Sequence, residues 1–478
     1  MFYLILSIIS LILIGTFCVL KYAIFKNSEK FNIITNKVLK ILAIVYASIM
    51  LISILLPDAF CLCFSQEELA SSSRSVSYIL VRWFSMVSFV VLPLSVFFKN
   101  RTIKNIAIYF STIITIISVF FYPQYLSDFT STMGRGLNSI PVISAGFKNF
   151  LINPTFRSIW FGIILFLQFS IPVVLALQEK HIFDFKNKNE YINFFIILPL
   201  VILSIIPIYV PQHLFGYTNL ILEAYGVAHI CWLLLIIIEI VAMYFIFRKK
   251  DTETKNVLLF VLSLSLIMQY LQMFSAISIN IERLPLQLCN IGSFFILISL
   301  ITKNKKIFNF TVIINVVGVL FALAMPDLDG KGLFYLYNMH FMLEHGNVLI
   351  IPILALMLNV FPRLDKKALR DCLVGFGIYF VAVWSLGTMF NAISSATGNG
   401  FYTANYLFMF LPEKAAKLLP FTKALFDINF KIGYATFYPI IQLIIFVVFC
   451  AVCVLLFFAI QLIYYIIDKV KKPKQVNS

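Results

Sequence analysis

Charged residues are scarce in this chain: Asp, Glu, Lys and Arg make up only 12% of its 478 residues, whereas 61% are hydrophobic. The mean hydropathy is +0.96. These values exclude an ordinary soluble globular domain, in which roughly a quarter of the residues are charged. They predict an all-α, polytopic membrane protein, because one helix needs about 20 mostly apolar residues to cross the hydrocarbon core.

Several function classes lack the sequence features that they need. The chain has no glycine-rich loop for a phosphate and no soluble segment large enough for a nucleotide site, so ATP-driven pumping is not expected. Six of the eight Cys fall within apolar segments, where a disulfide framework is not expected, and Cys61 and Cys63 are too close in sequence to bridge without strain. No cofactor is predicted.

Thirteen segments are apolar over the length of a membrane span. They lie near residues 2–20, 38–57, 77–98, 104–122, 158–177, 192–210, 228–247, 256–274, 284–301, 308–325, 339–361, 370–390 and 437–467. The sequence therefore predicts a bundle of about 13 transmembrane helices.

Basic residues give this bundle an orientation. The formal net charge is +16, but 26 of the 37 Lys and Arg lie in alternate loops, which all face one side of the membrane, rather than in one patch. That pattern argues against nucleic acid as a partner. By the positive-inside rule it places the amino terminus outside and the carboxyl-terminal tail in the cytoplasm, and we predict a multi-pass protein of the plasma membrane. The rich use of Ile, Phe, Lys and Asn also predicts a bacterial source.

The spans fall into two groups. We predict a six-helix domain over 1–210 and a seven-helix domain with a basic tail over 211–478. The stretch KNRTIKNIAIYFSTIITIISVFFYP, ending at Pro123, resembles KNKKIFNFTVIINVVGVLFALAMP, ending at Pro326. The two halves are therefore candidate parallel repeats. In this register Ser85 corresponds to Cys289, so the first half lacks that thiol.

Polar groups interrupt the apolar segments of the second half. In LPLQLCN, Cys289 lies five residues into one span, and His345 lies six residues into another. Both are expected roughly 8 to 9 Å below the outer boundary. The same side of the membrane is predicted to hold His229, Asp327, Asp329 and the loop 391–436. We therefore predict one pocket at the outer leaflet.

A thiol and an imidazole in one pocket suggest nucleophilic catalysis. A Cys becomes a good nucleophile when a neighbouring group favours its thiolate, and His345 is the candidate for that role. Gln287 or Asn290 is a candidate donor to an oxyanion in a dry site. The predicted chemistry is acyl transfer through a thioester on Cys289.

Three other interpretations remain open. The polar residues, including His340 and Glu344, which share one helix face, are also typical of a hydrogen-bonded network that joins helices. Glu239, in the middle of a span, is suited to a secondary transporter that couples to protons. A zinc site built from His340, His345, Cys289 and Asp327 is chemically feasible, but no spacing such as HExxH indicates it.

Five motifs of the second half carry a resemblance to a known family. YGVAHICWL, LPLQLCN, MPDLDG, HFMLEHG and ANYLFMF occur in the order and spacing of a seven-helix membrane family that includes bacterial YwaF-type proteins and an animal transmembrane acyltransferase. The resemblance covers about 210–467. It implies a lipid acyltransferase or transacylase, with membrane lipids as its partners.

The resemblance also implies roles for individual residues. Cys289 corresponds to the nucleophile of the family's LC motif and His345 to the histidine of its HG motif. Other recurring positions are His229, Pro285, Asp327, Asn391, Asn405 and Tyr406. The chain departs from the bacterial pattern LPLHLC at Gln287, which stands in place of a histidine, so proton transfer falls to His345 or His340.

Overall fold

The computed structural model describes most of the chain. The described residues are 2–24, 28–55, 81, 83–138, 144–178, 186–208, 210–215, 220–276, 281–326, 328, 332–418 and 421–471. Arg82, Asp327 and Asp329, and the pair Cys61 and Cys63, lie outside them.

Helices account for nearly all of the described secondary structure. In the first part of the chain they are α1 (Phe2–Val19), α2 (Ser28–Leu55), α3 (Phe84–Phe97), α4 (Arg101–Asn138), α5 (Ala145–Ile152), α6 (Pro154–Gln178), α7 (Lys188–Ser204) and α8 (Val210–Phe215). They continue as α9 (Val227–Phe247), α10 (Thr252–Ala276), α11 (Leu288–Thr302), α12 (Lys305–Phe310), α13 (Val316–Ala324), α14 (Leu336–Met357), α15 (Lys366–Thr397), α16 (Pro412–Leu418), α17 (Thr422–Phe426) and α18 (Pro439–Lys471). The prediction of an all-α membrane protein is confirmed.

Short irregular elements complete the description. Among the described residues, π-helical turns include Leu20–Ile24 after α1 and Thr311–Asn315 between α12 and α13. Single 3-10 turns occupy Ile281–Arg283, Gly400–Tyr402 and Tyr406–Phe408. The strands β1 (Phe430–Ile432) and β2 (Ala435–Phe437) form an antiparallel hairpin.

Each of the 13 predicted spans contains a helix, but not all are equally long. Among the described residues, nine helices are long and apolar enough to cross a membrane, with α12, its π turn and α13 counted as one. Three others, which include α3 and α11, are apolar but shorter. The helix of the remaining predicted span, α7, has 17 residues. The chain is therefore a multi-pass helical membrane protein, whereas the count of 13 stays a prediction.

The chain forms two compact units that interleave along the sequence. The first contains Met1–Ile221, Lys250–Ile279 and Lys331–Leu343, and the second contains Leu222–Lys249, Asn280–Gly330 and Glu344–Ser478. The predicted division into 1–210 and 211–478 describes consecutive halves instead. That division and the candidate repeat stay predictions.

In the first unit, α2 and α6 are joined by polar side chains at three levels. Gln178 donates to Thr35, Tyr46 donates to Gln168 at 3.2 Å, and Trp160 donates to Ser53 at 2.7 Å. We call these three bonds the polar ladder. Because the paired residue numbers rise along one helix as they fall along the other, the two helices are antiparallel. Between membrane helices such bonds supply cohesion that hydrophobicity cannot, since lipid is as apolar as leucine.

Removal of the central bond of the polar ladder should lower the stability of the first unit. Tyr46 is fully buried, and the Nε2 of its acceptor Gln168 is also buried, with no hydrogen-bond partner in the described part of the chain. For Tyr46→Phe we expect a loss of about 0.6 to 1.7 kcal/mol, the range for such bonds in membrane proteins. Detergent unfolding would measure it. Tyr22→Phe, at a 70% exposed tyrosine, is the control. Equal effects of the two substitutions would contradict this role.

Candidate functional site

The site begins where the chain enters α11 in the second unit. Gln287 is the residue before the helix, and its backbone is extended (φ −71°, ψ 150°). This corrects the prediction that residues 284–287 are helical: α11 begins at Leu288, four residues later. The carbonyl of Leu286 accepts a hydrogen bond from the Tyr379 hydroxyl at 2.6 Å, which fixes the entry to the helix.

Cys289 is the second residue of α11 and is partly buried. Its thiol donates to the Asn290 Oδ1 atom at 3.3 Å. The carboxyl group of Glu344, which is only 1% exposed, lies within electrostatic range of the thiol. Cys289 therefore has a hydrogen-bond acceptor in contact with its thiol and an acidic group within electrostatic range, at the positive end of a helix.

The side chain of Gln287 does not cap α11. It turns instead to the connection between α15 and α18, where Nε2 donates to the carbonyl of Asn405 and Oε1 accepts from the amide of Leu407, both at 3.2 Å. Such a bidentate bond to backbone needs both amide atoms. Gln287, which replaces the histidine of the LPLHLC pattern, therefore has a positioning role.

Asn405 and Tyr406 organise the same connection. The Asn405 Oδ1 atom accepts from the amides of Phe410 and Leu411 at 3.1 and 3.0 Å. The Tyr406 hydroxyl donates to the carbonyl of Ile281. Burial raises the pKa of Tyr406, and the Glu282 carboxylate raises it further, so the phenol keeps its proton at neutral pH. These contacts tie the connection to the segment that precedes α11.

Asn391, in α15, links the end of that helix to the connection. Its Nδ2 atom donates to the carbonyls of Gly387 and Ala404, and its Oδ1 atom accepts from the amide of Ala404 at 3.1 Å. All three recurring positions, Asn391 in α15 and Asn405 and Tyr406 in the connection, therefore hydrogen-bond to backbone groups.

Asn405→Ala should destabilise the second unit. The asparagine is 1% exposed, and its loss leaves two amides inside the protein without an acceptor. Each such group costs about 1 to 3 kcal/mol, so we expect a loss of at least about 2 kcal/mol in thermal or denaturant unfolding. Asn399→Ala, which removes one bond at an exposed position, is the control. A loss at Asn405 no larger than that of the control would contradict the assignment.

Asn315, a buried residue that the sequence patterns do not single out, supports the start of α11. Asn315 ends the π turn Thr311–Asn315, and its Nδ2 atom donates to the carbonyl of Leu288, the residue before Cys289. Gly292 lies directly against it: a Cβ atom there would be 2.9 Å from the Asn315 Cγ atom. The only sequence signal is a polar residue in an apolar span, which many structural residues share.

The histidines occupy different surroundings. His229, fully buried at the start of α9, accepts from the amide of Tyr225 at 3.1 Å through Nδ1, and the Tyr225 hydroxyl donates to the carbonyl of Ala324. His229 therefore supports the entry to its own helix. His345 is buried and follows Glu344 directly in α14. His340 belongs to the first unit.

Cys289 and His345 occupy different positions along their helices, contrary to the prediction of equal depth. Their helices begin at Leu288 and Leu336, so Cys289 is the second residue of its helix and His345 the tenth of its own. Equal depth no longer follows from the helix starts. A bond between the two side chains stays a prediction, and the acidic group that the structure brings near the thiol is Glu344.

The metal hypothesis receives no support from the described residues. Among them, no three His, Cys, Asp or Glu side chains gather closely enough to hold an ion. One predicted ligand, Asp327, lies outside this part of the chain.

Sequence comparison covers much of the second unit. A family model described as TMEM164 family matches residues 224–466, slightly more than half of the chain. No curated protein and no solved structure matches. The motif-based assignment to a YwaF-type acyltransferase family is therefore wrong: the family matched is a different one, and its range begins at 224 rather than near 210.

Proposed function

Because this chain belongs to the TMEM164 family, whose matched region contains the whole Cys289 site, we propose from the chemistry of that site that the protein transfers acyl groups between membrane lipids. One observation carries the proposal. A thiol stands at the start of a helix, in contact with the Asn290 amide and within electrostatic range of the Glu344 carboxyl group. This combination supplies a nucleophile, a proton acceptor and a positive dipole end.

The first step would form a thioester. The Cys289 sulfur attacks the carbonyl carbon of a lipid ester, the bond from that carbon to the ester oxygen breaks, and the released lysolipid hydroxyl takes up the proton of the thiol. Glu344 carries this proton between sulfur and oxygen, with His345, the next residue of the helix, as the second candidate. In the second step an acceptor hydroxyl attacks the thioester, and its proton returns to sulfur.

The helix start also supplies donors for the negative oxygen that forms during each attack. The first backbone N–H groups of a helix have no partner within it, and the Gln287 side chain is engaged elsewhere. Donors of this kind act strongly where water is excluded. Gln287 and Asn405 would position the helix start, rather than contact the reacting atoms.

The proposed topology brings lipid to this site. With 13 spans and the amino terminus outside, α11 begins at the outer leaflet of the plasma membrane. A donor taken from the bilayer fits that position, whereas acyl-CoA would be on the other side. Large apolar residues are exposed along α9 and α18, as lipid contact requires. A bacterial source stays a prediction.

Mass spectrometry of protein purified from its membranes tests the proposal. We expect an acyl adduct on the peptide that contains Cys289, with release by hydroxylamine and turnover by added lysolipid. Cys289→Ser would carry no hydroxylamine-labile adduct. An unmodified Cys289 in protein that exchanges acyl chains at full rate would overturn the proposal.

Transport is the second candidate, and a different residue favours it. Glu239 is the only charged residue of α9, lies near the middle of that span and is partly buried. A carboxyl group at this depth is energetically costly, and such residues commonly mark functional sites. Loss of solute uptake in Glu239→Gln, with unchanged uptake in Cys289→Ala, would support transport over catalysis.

A further inference from the structure

We propose that the hairpin formed by β1 and β2 inserts one face into the interface of the lipid bilayer, beside the start of α18. The hairpin lies in the connection between α15 and α18, the same connection that Gln287 holds through Asn405. The proposal does not depend on the acyl transfer reaction.

The two faces of the hairpin differ in character. Its pairs are Phe430 with Phe437, Lys431 with Thr436, and Ile432 with Ala435. Since successive side chains of a strand alternate between faces, the first and third pairs form an apolar face and the middle pair forms a polar one. The Phe430 and Phe437 rings stack at 5.1 Å with an interplanar angle of 14°. The hairpin is therefore amphipathic.

The apolar groups of β1 and of the turn are exposed, whereas Ala435 and Phe437 in β2 are half-buried. Phe430 is 50% exposed and Ile432 65% exposed, and Tyr434 in the turn is 66% exposed. An isolated two-stranded hairpin is marginally stable in water, and a cluster of exposed apolar groups marks a surface that something covers. The hairpin therefore needs a covering partner on its apolar face.

The position of the hairpin identifies the bilayer as that partner. β2 ends at Phe437, two residues before Pro439 begins the membrane span α18, whose Leu443 is 60% exposed. The lipid that covers α18 is therefore continuous with the space next to the hairpin. Aromatic residues with nearby lysines are typical of this boundary, where rings enter the headgroup region and Lys431 faces anionic headgroups and water.

The rest of the connection holds the hairpin in place. Ala415, Phe426 and Ile441 form a small apolar cluster that packs α16 and α17 against the start of α18. On the other side, the Phe437 ring lies 6.1 Å from the Trp384 ring of α15, and the Trp384 Nε1 atom donates to Gln442 at 3.0 Å. The hairpin is thus fixed at the end of two membrane helices rather than tethered loosely.

Spin labels on adjacent residues test the insertion in the full-length protein. p-Acetylphenylalanine at position 432 or 431, coupled to a hydroxylamine nitroxide, avoids the native cysteines. In nanodiscs of phosphatidylcholine and phosphatidylglycerol, we expect the ratio of oxygen to nickel-chelate accessibility to be several-fold higher at Ile432 than at Lys431. A third label at Tyr434 should follow Ile432. Similar, water-like ratios at all three positions would overturn the proposal.

Discussion

Cys289→Ala is expected to reduce acyl exchange between phospholipid and lysolipid by a factor on the order of 10³ or more, because removal of a covalent nucleophile eliminates the thioester route. The substitution removes one sulfur atom from a partly buried position and leaves the backbone of α11 unchanged. The helix should therefore remain folded. Exchange of a labelled acyl chain in proteoliposomes of purified protein would measure the loss.

The matched control is Cys231→Ala, at an exposed cysteine of α9. It should retain full activity. The same assay separates the two candidate bases: if Glu344 carries the proton, Glu344→Gln loses most of the activity and His345→Gln retains it. Full activity in Cys289→Ala would contradict the thioester mechanism.

Gly292→Ala should produce a large structural effect from a single added methyl group. The new Cβ atom would overlap the side chain of Asn315 and displace it from the carbonyl of Leu288. Overpacking and the lost bond together should cost about 2 to 4 kcal/mol. Because that carbonyl belongs to the peptide that joins Leu288 to Cys289, we also expect a loss of acyl exchange. Thermal unfolding and the exchange assay would measure the two effects.

Gly377→Ala provides the comparison. Gly377 is also within a helix, but a Cβ atom there would have no neighbour within 4 Å. Since alanine favours helix more than glycine does, this substitution should leave stability unchanged or raise it by up to about 1 kcal/mol. Equal destabilisation by the two alanines would show that the contact with Asn315 does not explain the effect.

The helices could be predicted from the sequence because their cause is local. In lipid, the backbone N–H and C=O groups of an apolar segment must hydrogen-bond to one another, and a helix allows them to do so. The start of α11 was predicted four residues too early because hydropathy does not distinguish a helical Gln287 from an extended one. What decides its conformation is the pair of bonds to Asn405 and Leu407, more than a hundred residues away.

The site was only partly accessible to the same reasoning. Cys289, Glu344 and Gln287 are conspicuous as polar or reactive groups in apolar surroundings. Asn315 and Gly292 are not, because their importance lies in a close contact between α11 and a π turn. The hairpin was missed as well, since three-residue strands have too few positions for an alternating pattern to be recognised.

The polar ladder limits how the first unit can move. Its bonds on α2 extend from Thr35 to Ser53, or about 27 Å along the helix axis, nearly the thickness of the hydrocarbon core. A slip of either helix by one residue, about 1.5 Å along its axis, would misalign all three donor and acceptor pairs at once. Piston-like sliding of α2 against α6 is therefore strongly opposed, and any conformational change of this unit must carry the two helices together.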